Sequence, residues 1–467
     1  MNNIIKNYKK VEYGLAPEDS KEVMEWIKKI SSPNKNYIDG KWIKSSSSKN
    51  IQAINPANKK KLFKLTVSSK KDINLAVTSA SKAYKKWSNI TPYERSKYLY
   101  ALARLIQKHS RFLAVLESID NGKPIRETRD IDIPLVARHF YYHAGWASKS
   151  NDKLKSIGVI GQIIPWNFPM LMLAWKIAPA IACGNTVVLK PAEYTSLTAL
   201  FFAELCIKAN LPSGVINIVT GDGSTGQYIT NHPNINKIAF TGSTDVGKKI
   251  IETTSNSNKK LTMELGGKSP FIVFEDADLD SAVEGVVDAI WFNQGQVCCA
   301  GSRLLVQESI EKKFIKKLKQ RMEKLRVGNP LDKSIDIGAI VAPVQLQKIN
   351  QLVKKGVKEG AKLWQPSWSC PTEGIFYPPS LFTNVSPASF IAQVEIFGPV
   401  LTALTFRTPS EAVSIANNTP YGLAASIWSE NINLALDVAP KIKAGVIWIN
   451  STNLFDASCG FGGFKES

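Results

Sequence analysis

The pattern of apolar and polar positions favours helices over the first third of the chain. An amphipathic run covers Pro17–Ile30, and apolar side chains recur at three- and four-residue spacing over Asp72–His109 and Ile131–Ser148. Pro92 interrupts the second run, so we expect two helices there. A polar Lys/Ser/Asn stretch follows the first helix, and residues 1–50 are therefore interpreted as an N-terminal extension.

From Gly158 onward, short β-rich apolar segments alternate with helical runs. The predicted strands are Val159–Ile164, Thr186–Lys190, Val215–Val219, Lys237–Phe240 and Leu261–Leu265. The predicted helices are Leu171–Ala182, Leu197–Ala209, Thr225–Thr230 and Asp245–Ser255. Such alternation predicts a parallel sheet that is covered on both faces, with right-handed connections. Ligands of these sheets bind at the carboxyl ends of the strands.

A second alternating unit follows the first. Its predicted strands are Phe271–Phe274, Arg303–Val306, Val400–Thr405, Ala425–Trp428 and Val446–Asn450. Its predicted helices are Leu279–Trp291, Glu311–Leu325, Ser410–Asn417 and Ile432–Ala439. The pattern predicts an α/β fold with two α/β domains that meet near Gly266–Lys268. We expect residues 51–130 and 151–265 in one domain and residues 266–450 in the other.

Composition is that of an ordinary globular chain, with 44% hydrophobic and 21% charged residues among 467. Lys176 and Gly184 interrupt the most apolar stretch, Pro169–Leu189, which favours a buried helix and strand over a membrane span. The formal charge is +20, but the lysines are scattered and only about ten basic residues are Arg. We therefore expect a cytoplasmic protein that binds neither membranes nor nucleic acid.

The six cysteines and four histidines show no CxxC pair and no zinc-like spacing. We expect no metal site and no structural disulfide. Cys298 and Cys299 stand out, because they follow a Gly-containing turn between a predicted helix and a predicted strand. A cysteine is usually a small buried apolar side chain, but on such a turn its thiol can face a pocket. A thiolate attacks carbonyl carbon and leaves readily, which suits a thioester intermediate.

Two other polar residues could serve the same chemistry. Glu264 ends a predicted apolar strand, and partial burial would raise its pKa towards that of a general base. The alternative for Glu264 is an ion pair at the domain boundary. Asn167 lies between Pro165 and Pro169, and its side-chain amide could donate to an oxyanion or could satisfy the turn backbone.

Two strand ends could bind a dinucleotide. The turn from Phe240 to Gly247 leads into a helix, whose N-terminus favours a phosphate. GxGxxG is absent, however, and taken alone the glycines are better explained by turn geometry. Lys190 and Glu193 could hold sugar hydroxyls, although taken alone they are better explained as a surface ion pair.

Eight ordered blocks together resemble the aldehyde dehydrogenase superfamily and cover nearly the whole chain from about Asn55 onward. The blocks are PWNFP (Pro165–Pro169), KPAE (Lys190–Glu193), FTGSTDVG (Phe240–Gly247), MELGGKSP (Met263–Pro270), NQGQVCCAGSR (Asn293–Arg303), EIFGPV (Glu395–Val400), YGLAAS (Tyr421–Ser426) and GGFK (Gly462–Lys465). The resemblance implies that a small-molecule aldehyde is oxidised to a carboxylic acid.

The resemblance also implies residue roles. Cys298, rather than Cys299, would be the nucleophile, and Asn167 with the Cys298 backbone N–H would form the oxyanion hole for a thiohemiacetal. Glu264 would activate the water that hydrolyses the thioester. The family's cofactor sheet is a variant of the dinucleotide-binding fold, which accounts for the missing GxGxxG.

The implied cofactor is NAD rather than NADP, because a carboxylate at Glu193 would repel a 2′-phosphate. Lys190 and Glu193 would hold the adenosine ribose, and Ser243 would lie at the pyrophosphate. Glu395 and Phe397 would lie at the nicotinamide ribose. The further cofactor contacts implied are Ile164, Pro165, Trp166, Gly223, Phe240, Gly242 and Leu265.

Residues Arg129–Ala147 and Trp364–Gly374 are most similar to the family 16 type, whose members join this module to a second related one. Family members continue after the last block with SGxGRE and a strand that joins the partner subunit, whereas this chain stops at Ser467. We expect residues 131–150 and 451–467 to form a bridging element. A homodimer or tetramer is expected where the C-terminal strand is present.

Two other functions fit the same blocks. An acylating dehydrogenase would pass the acyl group to coenzyme A, but acylating members generally lack a base at the position of Glu264. A catalytically silent scaffold module is the second, but Cys298 is retained here, whereas some family 16 members have lost it.

Overall fold

The computed structural model describes residues 14–30, 35–149 and 155–467. The helices of the first half are α1 (Lys21–Lys29), α2 (Lys70–Trp87), α3 (Pro92–Lys108), α4 (Ser110–Asn121), α5 (Ile125–Glu127), α6 (Ile133–Lys149), α7 (Pro169–Ala182), α8 (Leu197–Lys208), α9 (Gly223–Thr230) and α10 (Thr244–Thr254). Those of the second half are α11 (Leu279–Ile290), α12 (Glu311–Met322), α13 (Pro343–Lys358), α14 (Phe390–Gln393), α15 (Pro409–Asn417) and α16 (Ile432–Val438).

The first seven-stranded sheet follows the predicted alternation. Its strands are β1 (Lys35–Ile38), β2 (Lys41–Lys44), β5 (Val159–Ile163), β6 (Thr186–Lys190), β7 (Ile216–Ile218), β8 (Lys237–Thr241) and β9 (Lys260–Glu264). Their order is β2-β1-β7-β6-β5-β8-β9, with β5 to β9 parallel and the β1–β2 hairpin antiparallel at one edge. The carboxyl ends of β5, β8 and β9 therefore share one edge.

The second seven-stranded sheet begins directly after the first ends. Its strands are β10 (Pro270–Val273), β11 (Arg303–Gln307), β12 (Lys362–Trp364), β13 (Ser380–Thr383), β14 (Val400–Phe406), β15 (Ala424–Trp428) and β16 (Val446–Ile449). Their order is β12-β13-β14-β11-β10-β15-β16, parallel except for β12. A two-stranded sheet joins β3 (Asn50–Ile54) and β4 (Lys61–Thr66). The predicted α/β fold with two such units is confirmed.

The β1–β2 hairpin lies within a stretch that the sequence analysis treats as a polar extension. Asp39 and Gly40 have φ of 55° and 75°, the left-handed values that a two-residue Asp-Gly hairpin turn requires. Tyr37 and Ile38 are buried against the sheet, and Tyr37 pairs with Ile218 of β7. The turn signal was therefore present in the sequence, and the surrounding lysines obscured it.

Other differences concern segments that lack a clear period. The helices α4 and α13 and the strands β12 and β13 were not predicted, and the helix expected over Pro17–Ile30 begins only at Lys21. Pro92 does separate two helices, since it occupies the first turn of α3 after the Thr91 cap. Of the expected bridging segments, the described part of 131–150 is mostly α6, whereas 451–467 forms neither helix nor strand.

The main hydrophobic core joins both sheets through α7 and α11. Helix α7 contributes Leu173, Ala174 and Ile177, all fully buried. Although α7 is apolar, no helix in the described ranges is long and apolar enough to cross a membrane. Burial of this helix fixes the loop before it, which contains Asn167. The core thus positions a loop at the shared strand edge.

Truncation of the core at Leu173 should destabilise the fold. We expect Leu173→Ala to lower the free energy of unfolding by about 2–5 kcal/mol, because it leaves a cavity beneath the loop. Denaturant unfolding followed by circular dichroism measures the loss. Leu75→Ala is the control, since Leu75 lies on helix α2 and is 44% exposed. Equal losses in the two variants would contradict this description of the core.

Candidate active site

A cavity that is partly open to solvent lies where the carboxyl ends of the first sheet meet the loop before β11. Its lining includes Cys298, Asn167 and Glu264, which come from three separate segments of the chain. Gly267 lets these segments approach, since a Cβ there would lie 2.2 Å from the carbonyl oxygen of Cys298. All three predicted catalytic residues therefore share one cavity.

The two adjacent thiols have different environments. Cys298 is partly exposed to the cavity, whereas Cys299 is buried and its Sγ lies 3.8 Å from Oδ1 of Asn453. The hydrogen bond with Cys298 and burial raise the pKa of the Cys299 thiol well above its usual value. A thiol that stays protonated is a poor nucleophile, so the geometry favours Cys298.

The backbone that leads to Cys298 turns sharply. Asn293, Gln294 and Gly295 have φ of 46°, 57° and 70°, which gives three consecutive left-handed residues. Each non-glycine residue in this region costs on the order of 1–3 kcal/mol, so the surrounding structure must hold the turn. A Cβ at position 295 would lie 2.1 Å from the carbonyl oxygen of Gly398, which excludes any larger residue.

Asn167 is tied to this turn from the opposite loop. Its Nδ2 donates to the carbonyl oxygen of Gln296 at 2.9 Å, and its own carbonyl oxygen accepts from Nδ2 of Asn293 at 2.8 Å. Asn167 is buried, and its amide carries a second N–H. The reciprocal bonds fix this side chain beside the nucleophile loop.

Glu264 lies at the end of β9, beside Thr241 of β8. Burial raises the pKa of Glu264 to about 7, and the nearby Lys176 ammonium opposes the rise. Burial in turn lowers the pKa of Lys176 to about 8. Oε2 of Glu264 has no hydrogen-bond partner among the described residues, so this oxygen can accept a proton from water.

The remaining cavity wall on this side is apolar. Its members are Phe168, Leu171, Met172, Trp175, Val297, Phe455 and Phe461. Trp175 stacks at an angle on Phe461, with ring centroids 5.3 Å apart. Trp291, just before the left-handed turn, is buried in the core and is not part of this wall. An uncharged wall favours a substrate that presents an apolar body to Cys298.

Seven of the predicted cofactor residues line the opposite side of the same cavity. They are Pro165, Trp166, Gly242, Ser243, Leu265, Glu395 and Phe397. Trp166 contacts Phe397 edge to face at 5.1 Å, and Phe397 has a φ of 58°. Oε1 of Glu395 accepts from the backbone N–H of Gly267 at 2.8 Å, so this carboxylate is held at the joint between the sheets.

A second cavity lies on the other side of the turn from β8 to α10. Lys190, Gly223 and Phe240 line it, together with Ile163 and Ile250. Ile164 and Glu193 line neither cavity. Each nevertheless contacts Lys190, because the Ile164 N–H donates to its carbonyl oxygen at 3.1 Å and Oε2 of Glu193 lies 3.4 Å from its Nζ.

The two cavities fit a dinucleotide. Helix α10 begins between them, and the N-terminus of a helix favours a phosphate. Gly247 lets this helix pack closely, because a Cβ there would lie 2.5 Å from Leu265. Ile163 and Phe240 offer an apolar slot for a base, and Lys190 offers a buried ammonium for hydroxyls.

Sequence reasoning missed two groups of the site. Lys176 lies in an apolar helical run. Its position on a buried helix was the one sign in the sequence that its ammonium needs a charged partner. Lys123 and Asp132 form a fully buried ion pair, with Nζ of Lys123 3.6 Å from the Phe168 ring centroid. Both depend on contacts across the fold that no local pattern announces.

Comparison with known proteins finds similar sequences over nearly the whole chain. The family model described as the aldehyde dehydrogenase family matches residues 42–467. Aldehyde dehydrogenase family 2 member B4, mitochondrial, of Arabidopsis thaliana is 44% identical over 447 residues, which cover 92% of this chain and 83% of that protein. Retinal dehydrogenase 2 of Homo sapiens is 42% identical, with 97% and 93% covered.

A solved structure extends the likeness to three dimensions. The NAD+ complex of aldehyde dehydrogenase from Bacillus cereus aligns with a TM-score of 0.93 at 38% identity, covering 96% of this chain and 94% of that one. The residues that the family model matches, 42–467, include every residue that lines the first cavity. On the strength of this agreement in sequence and in fold, the chain belongs to the aldehyde dehydrogenase family.

Proposed function

We propose that this chain oxidises an aldehyde to a carboxylic acid with NAD as hydride acceptor. The observation that carries the proposal is that Cys298, Asn167 and Glu264 line one cavity, whose other side fits a dinucleotide. Its relatives include aldehyde dehydrogenases, one of them solved with NAD+. The arrangement supplies a nucleophile, a donor for the oxyanion and a base.

The first step forms a bond between the thiolate Sγ of Cys298 and the aldehyde carbon, while the C=O π electrons move to the oxygen. The carbonyl oxygen gains negative charge as the thiohemiacetal forms. The second N–H of the Asn167 amide and the Cys298 backbone N–H donate to this oxygen and stabilise the charge. Because Asn167 is already fixed by Gln296 and Asn293, little reorganisation accompanies the step.

The cofactor is held by residues on both sides of helix α10. Lys190 and Glu193 would hold the adenosine ribose, the helix N-terminus at Ser243 the pyrophosphate, and Glu395 with Phe397 the nicotinamide ribose. NAD bound there would supply the hydride acceptor for oxidation of the thiohemiacetal on Cys298 to a thioester. Ile164, Pro165, Trp166, Gly223, Phe240, Gly242 and Leu265 complete the proposed cofactor site.

The last step is hydrolysis of the thioester. Glu264 takes a proton from water, whose oxygen bonds to the acyl carbon while the C–S bond breaks and the Cys298 thiolate leaves. The apolar wall excludes bulk water and keeps the Glu264 carboxyl near a pKa of 7. A base in this position favours hydrolysis over transfer of the acyl group to coenzyme A.

The finer assignments from the sequence remain part of the proposal. These are the family 16 type, the cytoplasmic location, and a homodimer or tetramer. The domain division (51–130 with 151–265, and 266–450) has the support of the two sheets, since β5 to β9 lie in the first part and β10 to β16 in the second. Strands β1 and β2 of the first sheet precede residue 51.

Removal of the thiol should abolish the reaction. We expect Cys298→Ala to form no NADH with any aldehyde, measured by absorbance with NAD and a panel of aliphatic and aromatic aldehydes. Cys299→Ala is the matched control and should retain most activity, because the Cys299 thiol is buried and protonated. Loss of NADH formation in Cys299→Ala, with activity retained in Cys298→Ala, would show that Cys298 is not the nucleophile.

Removal of the base should separate the two half-reactions. Glu264→Gln should keep the first burst of NADH and lose steady-state turnover by about a hundredfold or more, because only hydrolysis needs the base. In the wild type, a base with a pKa of about 7 predicts that hydrolysis accelerates as pH rises from about 6 to 8 and the carboxyl ionises. Loss of the burst in Glu264→Gln would contradict this role.

Cofactor preference should depend on Glu193. Its carboxylate lies 3.4 Å from Nζ of Lys190, which lines the proposed ribose site, so it should repel a 2′-phosphate. We expect Glu193→Ser to raise kcat/KM for NADP about tenfold or more while affecting NAD far less. Lys249→Ser, at the rim of the second cavity, serves as a charge control and should weaken both cofactors. Unchanged discrimination in Glu193→Ser would place the ribose elsewhere.

A further inference from the structure

A set of buried ionisable side chains lies beneath the two loops that carry Asn167 and Cys298. Lys123 and Asp132 form an ion pair, and Lys123 also lies near the rings of Phe168 and Phe292. Glu127, one residue before a π-helical turn (Thr128–Asp132), faces the same cluster and is 8% exposed. The catalytic scheme uses none of these groups, so their burial calls for another reason.

Glu127 makes a direct bond to the strained turn. Its Oε2 accepts the backbone N–H of Asn293 at 2.9 Å, at the first of the three left-handed residues. A buried backbone N–H just past the end of a helix needs an acceptor from elsewhere in the fold. Glu127 provides that partner from a segment 166 residues earlier in the chain.

Asn293 also bonds to the Asn167 loop and to the rest of the turn. Nδ2 of Asn293 donates to the carbonyl oxygen of Asn167 at 2.8 Å, and the Asn293 carbonyl oxygen accepts from the Gln296 N–H at 2.9 Å. Asn293 therefore links Glu127 below to the oxyanion donor on one side and to the Cys298 loop on the other. A shift of Asn293 would move both groups.

We propose that Glu127 is a positioning residue for the reaction, which acts through Asn293 to hold the left-handed turn and so aligns Cys298 with the Asn167 amide. The inference rests on the proposed role of Cys298 as nucleophile. What the turn requires of Glu127 is an acceptor atom at a fixed place. A negative charge is not required.

The environment of Glu127 makes its amide analogue a close mimic. Burial raises the pKa of Glu127 to about 8, with Lys123 opposing the rise, so the carboxyl is mostly neutral at pH 7. A neutral carboxyl still accepts through its carbonyl oxygen, and so does the side chain of Gln. Ala removes the acceptor altogether, and Asp withdraws it by one methylene.

Asp120 offers a matched control. Asp120 is fully buried, and burial raises its pKa to about 8. Its Oδ2 accepts a backbone N–H at 2.9 Å, the same distance as the bond from the Asn293 N–H to Oε2 of Glu127. Its donor, however, is Leu197 at the start of α8, outside both catalytic loops. A variant at Asp120 therefore reports the loss of a buried carboxyl without a change at the turn.

The experiment measures the rate of the NADH burst and of iodoacetamide alkylation of Cys298, each per titrated active site, in the full chain with NAD. We expect Glu127→Ala to slow both rates roughly tenfold to a hundredfold, with KM for NAD little changed, because misplacement of reacting groups by about 1 Å has effects of this size. Glu127→Gln should stay within about threefold of wild type. Asp120→Ala should keep the wild-type rates per active site.

The outcomes separate the two proposals. No burst in the wild type would refute the proposed function, whereas a wild-type burst that persists at full rate in Glu127→Ala would refute the positioning role alone. Equal loss in Glu127→Gln and Glu127→Ala would also refute it, since it would mean that charge matters rather than the acceptor. Should Glu127→Ala not fold, Glu127→Asp against Glu127→Gln decides the question, with slow rates expected only for Asp.

Discussion

The structure depends on one constraint: the thiol of Cys298 must face a cavity although the chain around it is buried. The adjacent Cys299 shows the alternative, because its side chain is buried in the core. Three left-handed residues, Asn293 to Gly295, redirect the backbone instead. Such a turn is costly on its own, on the order of 1–3 kcal/mol per non-glycine residue, and exists only because its neighbours over-determine it.

The neighbours do so with polar groups in a dry interior. The side chain of Gln294 accepts from the Gly338 N–H at 3.1 Å and donates to the carbonyl oxygen of Ala339 at 3.0 Å. Gln296 accepts from the Val341 N–H at 3.1 Å. Each bond joins the nucleophile turn to a segment far along the chain. Burying these amides is favourable only because nearly every donor finds an acceptor, which makes the arrangement unique rather than adjustable.

Sequence patterns predicted what depends on local order. Strand and helix alternation gave both sheets, since period and length are local properties, and ordered blocks brought Cys298, Asn167 and Glu264 forward as candidates. The β1–β2 hairpin was missed although Asp39-Gly40 indicates it, because its strands are short and lie among Lys, Ser and Asn residues. Lys176 and Glu127 were missed for another reason: their partners lie 88 and 166 residues away, and only folding brings each pair together.

The pair formed by Glu264 and Lys176 shows how the same burial that shapes the cavity tunes its chemistry. Desolvation raises the pKa of the carboxyl and lowers that of the ammonium, so the two values converge near neutrality. Each charge offsets part of the other's desolvation, and neither value would hold if its partner were absent. A proton can therefore move at this site with a small change in free energy, which is what a base for water requires. The apolar surroundings of Glu264 therefore set its pKa and are needed for its action as a base.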